Sequence, residues 1–175
     1  MRRSPKRSLR RWLERLGAVA VLALGAGPVA AQDAGIAVGA RAPAVTVQDL
    51  DGTPVDLGQY LGHKPVLLEF WATWCEVCEA LLPSVRAAHQ AYGDRVEFFG
   101  VNVTVNQSLA RVRKYVAEHH PPFRTLYDSE GDGTRAYEAP MTSFIVIVDR
   151  AGNVAYTGVG ASQDLAAALS AVTTP

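Results

Sequence analysis

Glu69-Phe70-Trp71-Ala72-Thr73-Trp74-Cys75-Glu76-Val77-Cys78 joins the end of one apolar run to the start of a helical one. Upstream, Pro65 to Trp71 (PVLLEFW) is nearly continuous in apolar residues, as expected of a central strand buried on both faces. Downstream, Cys78 to Ala91 has helical periodicity, with Leu82, Val85 and Ala88-His89 recurring at three- and four-residue steps. The junction is a C-x-x-C. Cys75 falls at the helix N-terminus, where unpaired backbone N–H groups and the positive end of the dipole favour a thiolate. Cys78 follows one turn later on the same face, within reach to resolve a mixed disulfide formed at Cys75. Cys75 is therefore expected to be exposed and nucleophilic, and Cys78 more buried.

These are the only two cysteines in 175 residues. Bridging residues three apart closes almost no chain entropy, so the pair points to chemistry and not to stapling. A structural zinc site would need about four N/S ligands, and no second C-x-x-C or H-x-x-x-H accompanies this one. His119 and His120 are adjacent and face different directions, while His63 and His89 are isolated. Glu130-Gly131-Asp132-Gly133-Thr134 reads as a surface turn and not as a phosphate-cradling loop, so neither a small-molecule cofactor nor a resident metal is expected. A peroxidatic cysteine would need Thr or Ser three residues earlier, where Ala72 stands. A C-x-x-C beside a βαβ pattern is the setting of dithiol redox chemistry.

Further out, Val96 to Val103 reads as the next buried strand. Ser108 is a candidate N-cap for a helix reaching about His119, closed by Pro121-Pro122. Ser143 to Val148 and Val154 to Val159 read as strands joined through Arg150-Ala151-Gly152, followed by a terminal helix over Ala161 to Val172 with Ser162 or Asp164 near its start. Ala44 to Val47 and Thr53 to Asp56 flank Asp51-Gly52, a hairpin turn signal. The order β-hairpin, β, α, β, α, β, β, α predicts an α/β domain: a mixed central sheet with helices on both faces and an N-terminal β-hairpin extension. It spans 39–173, after a linker at 32–38.

Charge is unevenly placed. Seven of the 17 basic residues but one of the 17 acidic residues lie in 1–31, so positions from 32 on carry ten basic and sixteen acidic residues, a net −6. Such a domain has no electrostatic footprint for nucleic acid or anionic lipid. The basic start precedes Leu16 to Ala31, an apolar run broken by Gly25, Gly27 and Pro28 and short for a bilayer span of about 20 residues. Val29-Ala30-Ala31 ahead of Gln32-Asp33 predicts a signal peptide at 1–31 cut after Ala31, with an uncleaved anchor as the alternative. No cysteine near that site could carry a lipid. The mature chain is then exported, with no stable membrane insertion.

Val38-Gly39-Ala40-Arg41-Ala42-Pro43, Asp49-Leu50-Asp51-Gly52, the F-W-A-T-W-C-E-V-C run, Pro83, and Phe144 to Gly160 with Asp149 and Gly152 together resemble the TlpA/ResA-type periplasmic thioredoxin-like proteins of the redoxin family. The resemblance covers nearly the whole domain. It implies a thioredoxin fold and a periplasmic thiol–disulfide oxidoreductase, commonly a reductant serving cytochrome c maturation or other metalloprotein assembly. It also implies protein thiols and disulfides as substrates, a membrane thiol donor as partner, a monomer, and no cofactor beyond the redox-active Cys75–Cys78 disulfide.

Three departures from the family pattern shape the candidate site. Glu69 stands where thioredoxin carries a buried acid and where this subfamily more often has an amide. A carboxyl there should titrate high and act as general base toward Cys78; the alternative is a glutamate snorkelling from a strand edge. Leu81 occupies a spot where the family often has a glutamate. The proline held in cis opposite the dithiol is missing where spacing places it, at Ser143, while Pro140 lies three residues early. A trans Thr142-Ser143 bond is expected, with both side chains toward the dithiol and the Ser143 hydroxyl bonded to a Cys75 thiolate. Trp74, Glu76, Val77, Pro140, Met141, Thr142 and Ser143 are the expected substrate groove. The Glu76 carboxylate beside Cys75 opposes thiolate formation, which favours a reductant. A second reading is a copper metallochaperone resembling the Sco proteins, in which Cys75, Cys78 and Met141 bind Cu(I); the Sco cysteines, however, are separated by three residues.

Overall fold

The computed structural model describes residues 35–174. The proposed signal peptide and the first three residues of the linker, 32–34, lie outside them. Seven strands form one mixed sheet: β1 (Thr46–Asp49), β2 (Pro54–Asp56), β3 (Val66–Trp71), β4 (Glu97–Val103), β5 (Arg124–Asp128), β6 (Phe144–Val148) and β7 (Val154–Val159). The helices are α1 (Glu76–Tyr92), α2 (Leu109–His119), α3 (Asp132–Ala136) and α4 (Leu165–Thr173), with a 3-10 turn at Leu57–Tyr60. The strand order is β2-β1-β5-β4-β3-β6-β7. The β3–β4 and β4–β5 pairs are parallel, and β1–β2, β1–β5, β3–β6 and β6–β7 are antiparallel.

Strand β3 is buried at every residue, as its apolar run predicts. Its alternate side chains enter two cores. Val66, Leu68 and Phe70 join Phe99, Val101, Leu126, Phe144 and Tyr137 on one face. The N-terminal segment closes over this face: the Ala42 N–H donates to the Gly152 carbonyl (3.0 Å) and the Gly39 N–H to the Val154 carbonyl (2.7 Å). Leu67 packs on the other face with Leu81 and Val85 of α1 and Leu165 and Leu169 of α4. Trp71 packs there with Val112, Tyr115 and Val116 of α2. Three helices thus cover one face, and α3 with the 3-10 turn and the N-terminal segment covers the other.

The caps match local chemistry. Ser108 accepts from the Arg111 N–H and Asp164 from the Ala167 N–H (2.9 Å). Two expectations need correction. Arg124–Asp128, assigned to no element from the sequence, is the strand that ties β1 to β4. The supposed surface turn at Glu130–Thr134 opens α3, because the buried Asp128 carboxylate accepts from the Gly133 N–H (2.9 Å), the Thr134 N–H (2.8 Å) and the Thr134 hydroxyl (2.7 Å).

Candidate active site

Because β3 and β4 are parallel and β6 runs against β3, the chain leaves β3 and β4 and enters β6 at one edge of the sheet. That edge gathers Trp74 and the dithiol after β3, Val105 after β4, and Pro140 to Ser143 before β6. Cys75 is the N-cap of α1, with extended φ −89° and ψ 96°. Its Sγ accepts from the Cys78 N–H at 3.0 Å, and the two cysteines form a disulfide with Cα atoms 5.2 Å apart. The N-cap position thus supplies a donor for a sulfur bearing negative charge.

Both cysteines are buried, Cys75 at 5% and Cys78 at 6% exposure, which corrects the expectation that Cys75 is the more open of the two. Bonding its Sγ to a sulfur one turn inside the helix draws Cys75 against Trp71, Ala72 and Val112. The exposed surface belongs to its neighbours: Trp74 (44%), Val77 (47%) and Glu76. Glu76 and Glu79 both sit in the first turn of α1, where their charge opposes a thiolate at Cys75.

Glu69 lies at the middle of the sheet, opposite Gly100 of β4 and Ile145 of β6, and is 2% exposed. The strand-edge alternative does not hold. Burial alone pushes its carboxyl up to about 8, and its Oε2 finds no hydrogen-bond partner within the protein. By strand alternation it faces the α1/α2 side together with Trp71, so it belongs to the dithiol's face of the sheet. Leu81, the other position considered for an acid, is wholly buried in the apolar core of that face. Tyr115 packs tilted against Trp71 with ring centroids 5.1 Å apart, and its hydroxyl titrates high through burial first and the charges of Glu79 and Glu69 second.

The loop before β6 departs from expectation. No peptide bond among the described residues is cis, so Thr142-Ser143 is trans and Pro140 does not act as a cis proline. Pro140 and Met141 are exposed, Met141 at 59%, and Thr142 is half-buried. Ser143 is buried with φ 58°, and its Oγ and carbonyl both accept from the Gly160 N–H (3.0 and 3.2 Å). The Gln163 side chain also donates to the Ser143 carbonyl (3.2 Å). The Ser143 side chain is therefore committed to the end of β7, and the expected bond to Cys75 is absent. A left-handed backbone at a non-glycine residue is unfavourable, and these converging bonds hold it.

Sequence reasoning passed over Gln107. Its Oε1 accepts from the Thr73 N–H (3.1 Å) and its Nε2 donates to the Val103 carbonyl. One residue on, the Trp74 indole N–H donates to the Val105 carbonyl (2.8 Å). A lone loop glutamine carries no periodic or motif signal. Among the described residues no three His, Cys, Asp or Glu side chains come together as a metal-binding group.

The redoxin family profile matches residues 37–172. The chain is 29% identical over 140 residues to the thiol-disulfide oxidoreductase ResA of Geobacillus thermodenitrificans, covering 78% of this chain and 79% of the relative. It is 33% identical over 101 residues to the thioredoxin-like protein YneN of Bacillus subtilis, covering 57% of this chain and 59% of that relative's length. A crystal structure of a putative thiol:disulfide interchange protein DsbE from Chlorobium tepidum superposes with a TM-score of 0.71 at 24% identity, over 79% of this chain and 99% of that one. That likeness shows the thioredoxin-like fold. With its C-x-x-C closed as a disulfide at a helix N-cap, the chain belongs to the redoxin family, as a thiol–disulfide oxidoreductase of thioredoxin-like fold.

Proposed function

We propose that the protein is an exported reductant of protein disulfides, of the type that serves cytochrome c maturation or metalloprotein assembly. The observation that carries this reading is Cys75 at the N-cap of α1 with Glu76 and Glu79 in the same turn. The N-cap provides a donor for the attacking thiolate. The two carboxylates limit how far the thiolate is stabilised, and a less stabilised reduced form makes the dithiol the better reductant.

In the reduced protein the Cys75 thiolate attacks one sulfur of a substrate disulfide, and the other substrate sulfur leaves as a thiolate that takes up a proton. The Cys78 thiol, its proton accepted by the Glu69 carboxylate, then attacks Cys75 Sγ and expels the second substrate sulfur. The Cys75–Cys78 dithiol has given two electrons to the substrate and become the disulfide, and no other cofactor is needed. A membrane thiol donor recharges the pair, and the protein works as a monomer.

Export is supported by the basic, then apolar, N-terminus ending at Val29-Ala30-Ala31. Among the described residues no helix is long and apolar enough to cross a membrane. Equilibration with glutathione tests the direction of electron flow: the pair should stay oxidised until glutathione disulfide is almost absent. A dithiol that remains reduced in a predominantly oxidised glutathione buffer would identify an oxidant instead. Mass spectrometry of the exported protein should find Gln32 at its N-terminus, and an intact Leu16–Ala31 segment would reject cleavage.

A further inference from the structure

The β3–β4 ladder ends at the pair Trp71–Asn102. Beyond it the chains part, β3 turning through Thr73 and Trp74 to Cys75, and β4 turning through residues 104–108 into α2. The Thr73 N–H and the Val103 carbonyl lie just past the last rung. The Gln107 side chain serves both, accepting from Thr73 N–H at 3.1 Å through Oε1 and donating to the Val103 carbonyl through Nε2. A carboxamide offers the same donor and acceptor as a peptide group, so it adds a surrogate rung where backbone pairing has stopped. Asn106, at φ 55°, occupies the left-handed region just before Gln107, a conformation that asparagine tolerates better than most residues. The Trp74 indole bond to the Val105 carbonyl, at 2.8 Å, is a second link between the same two loops. Both links grip the two residues immediately before Cys75.

We propose that Gln107 is a positioning residue for the dithiol: its side-chain amide fixes the Thr73–Trp74 segment against the end of β4 and so keeps Cys75 in N-cap geometry, with the Trp74–Val105 bond as its auxiliary. The inference rests on the reading of Cys75–Cys78 as a reversible redox pair. Its consequence is directional. A reduced Cys75 held at the N-cap keeps the Cys78 N–H as donor, and this bond strengthens when the sulfur carries charge. Loosening the segment withdraws that donor from the thiolate more than from the disulfide sulfur. Reactivity of Cys75 at neutral pH should fall, and the couple should shift toward the disulfide.

The test uses Gln107→Met, which keeps the side chain's length and removes both bonds, and Trp74→Phe, which removes only the indole donor. Gln107 lies in a loop outside the described cores and is partly exposed, so the substitution leaves the packing intact. Lys114→Ala, at an exposed residue of α2, is the control. Each protein is equilibrated with dithiothreitol, which passes two electrons and two protons to the disulfide as it closes to its own cyclic disulfide. The reduced forms are then alkylated with iodoacetamide across pH.

In Gln107→Met the alkylation rate of Cys75 at pH 7 should fall by about threefold or more, the loss expected when a bond to a charged acceptor is weakened. Its pH midpoint should rise, and the equilibrium should move toward disulfide by a similar factor. Trp74→Phe should show a smaller change of the same sign, and Lys114→Ala none. Wild-type alkylation profiles and equilibria in both Gln107→Met and Trp74→Phe, whatever happens to their thermal stability, would reduce Gln107 to a loop brace and overturn the proposal. A wild-type protein that does not equilibrate with dithiothreitol at all would overturn the redox reading, and this inference with it.

Discussion

The two faces of strand β3 differ in what they bury. Val66, Leu68 and Phe70 enter a core whose fully buried phenol is satisfied, Tyr137 donating to the Pro43 carbonyl at 3.0 Å. One residue out of phase, Glu69 and Trp71 face the helices with Asn102 and Thr125, and each of these four has a buried polar atom without a partner in the protein. Of the other two such atoms among the described residues, Thr73 Oγ1 sits in the loop before Cys75 and Thr157 Oγ1 on the edge strand β7. Burying a polar group unpaired costs free energy, so the helix-covered face, with four such residues, gives up more stability than the first, where Thr157 stands in register with Val146. That face also carries the dithiol. Gly100, between Glu69 and Thr125 in the register, shows how tightly it is filled: a Cβ there would meet the Phe123 ring at 2.1 Å.

Four substitutions test this division. Cys75→Ser should abolish reduction of protein disulfides while the first core stays intact; residual turnover in an assay of a disulfide-bonded substrate would move the attack to Cys78. Glu69 should give wild type a stability that falls as pH rises. Its carboxyl holds a proton up to about 8 in the folded state but releases it near its ordinary 4.5 when unfolded. The unfolded chain therefore binds fewer protons across that window, and the loss over it is on the order of 5 kcal/mol. Denaturant unfolding should show Glu69→Gln without this slope, so parallel pH profiles for the two proteins would show that the carboxyl is solvated. Phe70→Ala, on the first face, should lose about 3–5 kcal/mol while the dithiol–disulfide equilibrium is unchanged. A large shift in that equilibrium would mean that the two faces are coupled. Ser143→Pro should destabilise by more than about 1 kcal/mol, because proline cannot adopt φ 58°. An unfolding midpoint equal to wild type would show that the loop can rearrange to a family-like proline geometry.

The parts of the molecule legible in the sequence are those encoded by local pattern. The apolar run of β3, the periodicity of α1 and the cap at Ser108 announce themselves within a few residues, whereas of the two candidates Ser162 and Asp164 it is Asp164 that caps α4. Strand β5 does not. Arg-Thr-Leu-Tyr-Asp is short and mixed, and it becomes a strand because β4 and β1 flank it on either side. Helix α3 has five residues and no side-chain cap at its own N-cap, Gly131; Asp128, from the preceding strand, serves its first N–H groups. In the site, the pairing of Cys75 with Cys78 and the burial of Glu69 were readable, the first from the motif and the second from the apolar run around it. Ser143 was misjudged because its backbone is set by Gly160 and Gln163, more than fifteen residues away in sequence. Gln107 was missed because its role depends on where two parallel strands stop pairing, which no local pattern records.

The coupling of Glu69 to the second half of the reaction is tested most directly by the pH profile of mixed-disulfide release. A mixed disulfide formed at Cys75 with a small disulfide substrate is followed by stopped flow in wild type and in Glu69→Gln. In wild type, release should accelerate with pH through the titration of Glu69 near 8, as the carboxylate becomes available to take the Cys78 proton. In Glu69→Gln, release should be slower at pH 7, with its midpoint displaced upward and the fold unchanged. Superimposable profiles between pH 6 and 8 would contradict a proton-accepting role and leave Glu69 a structural acid.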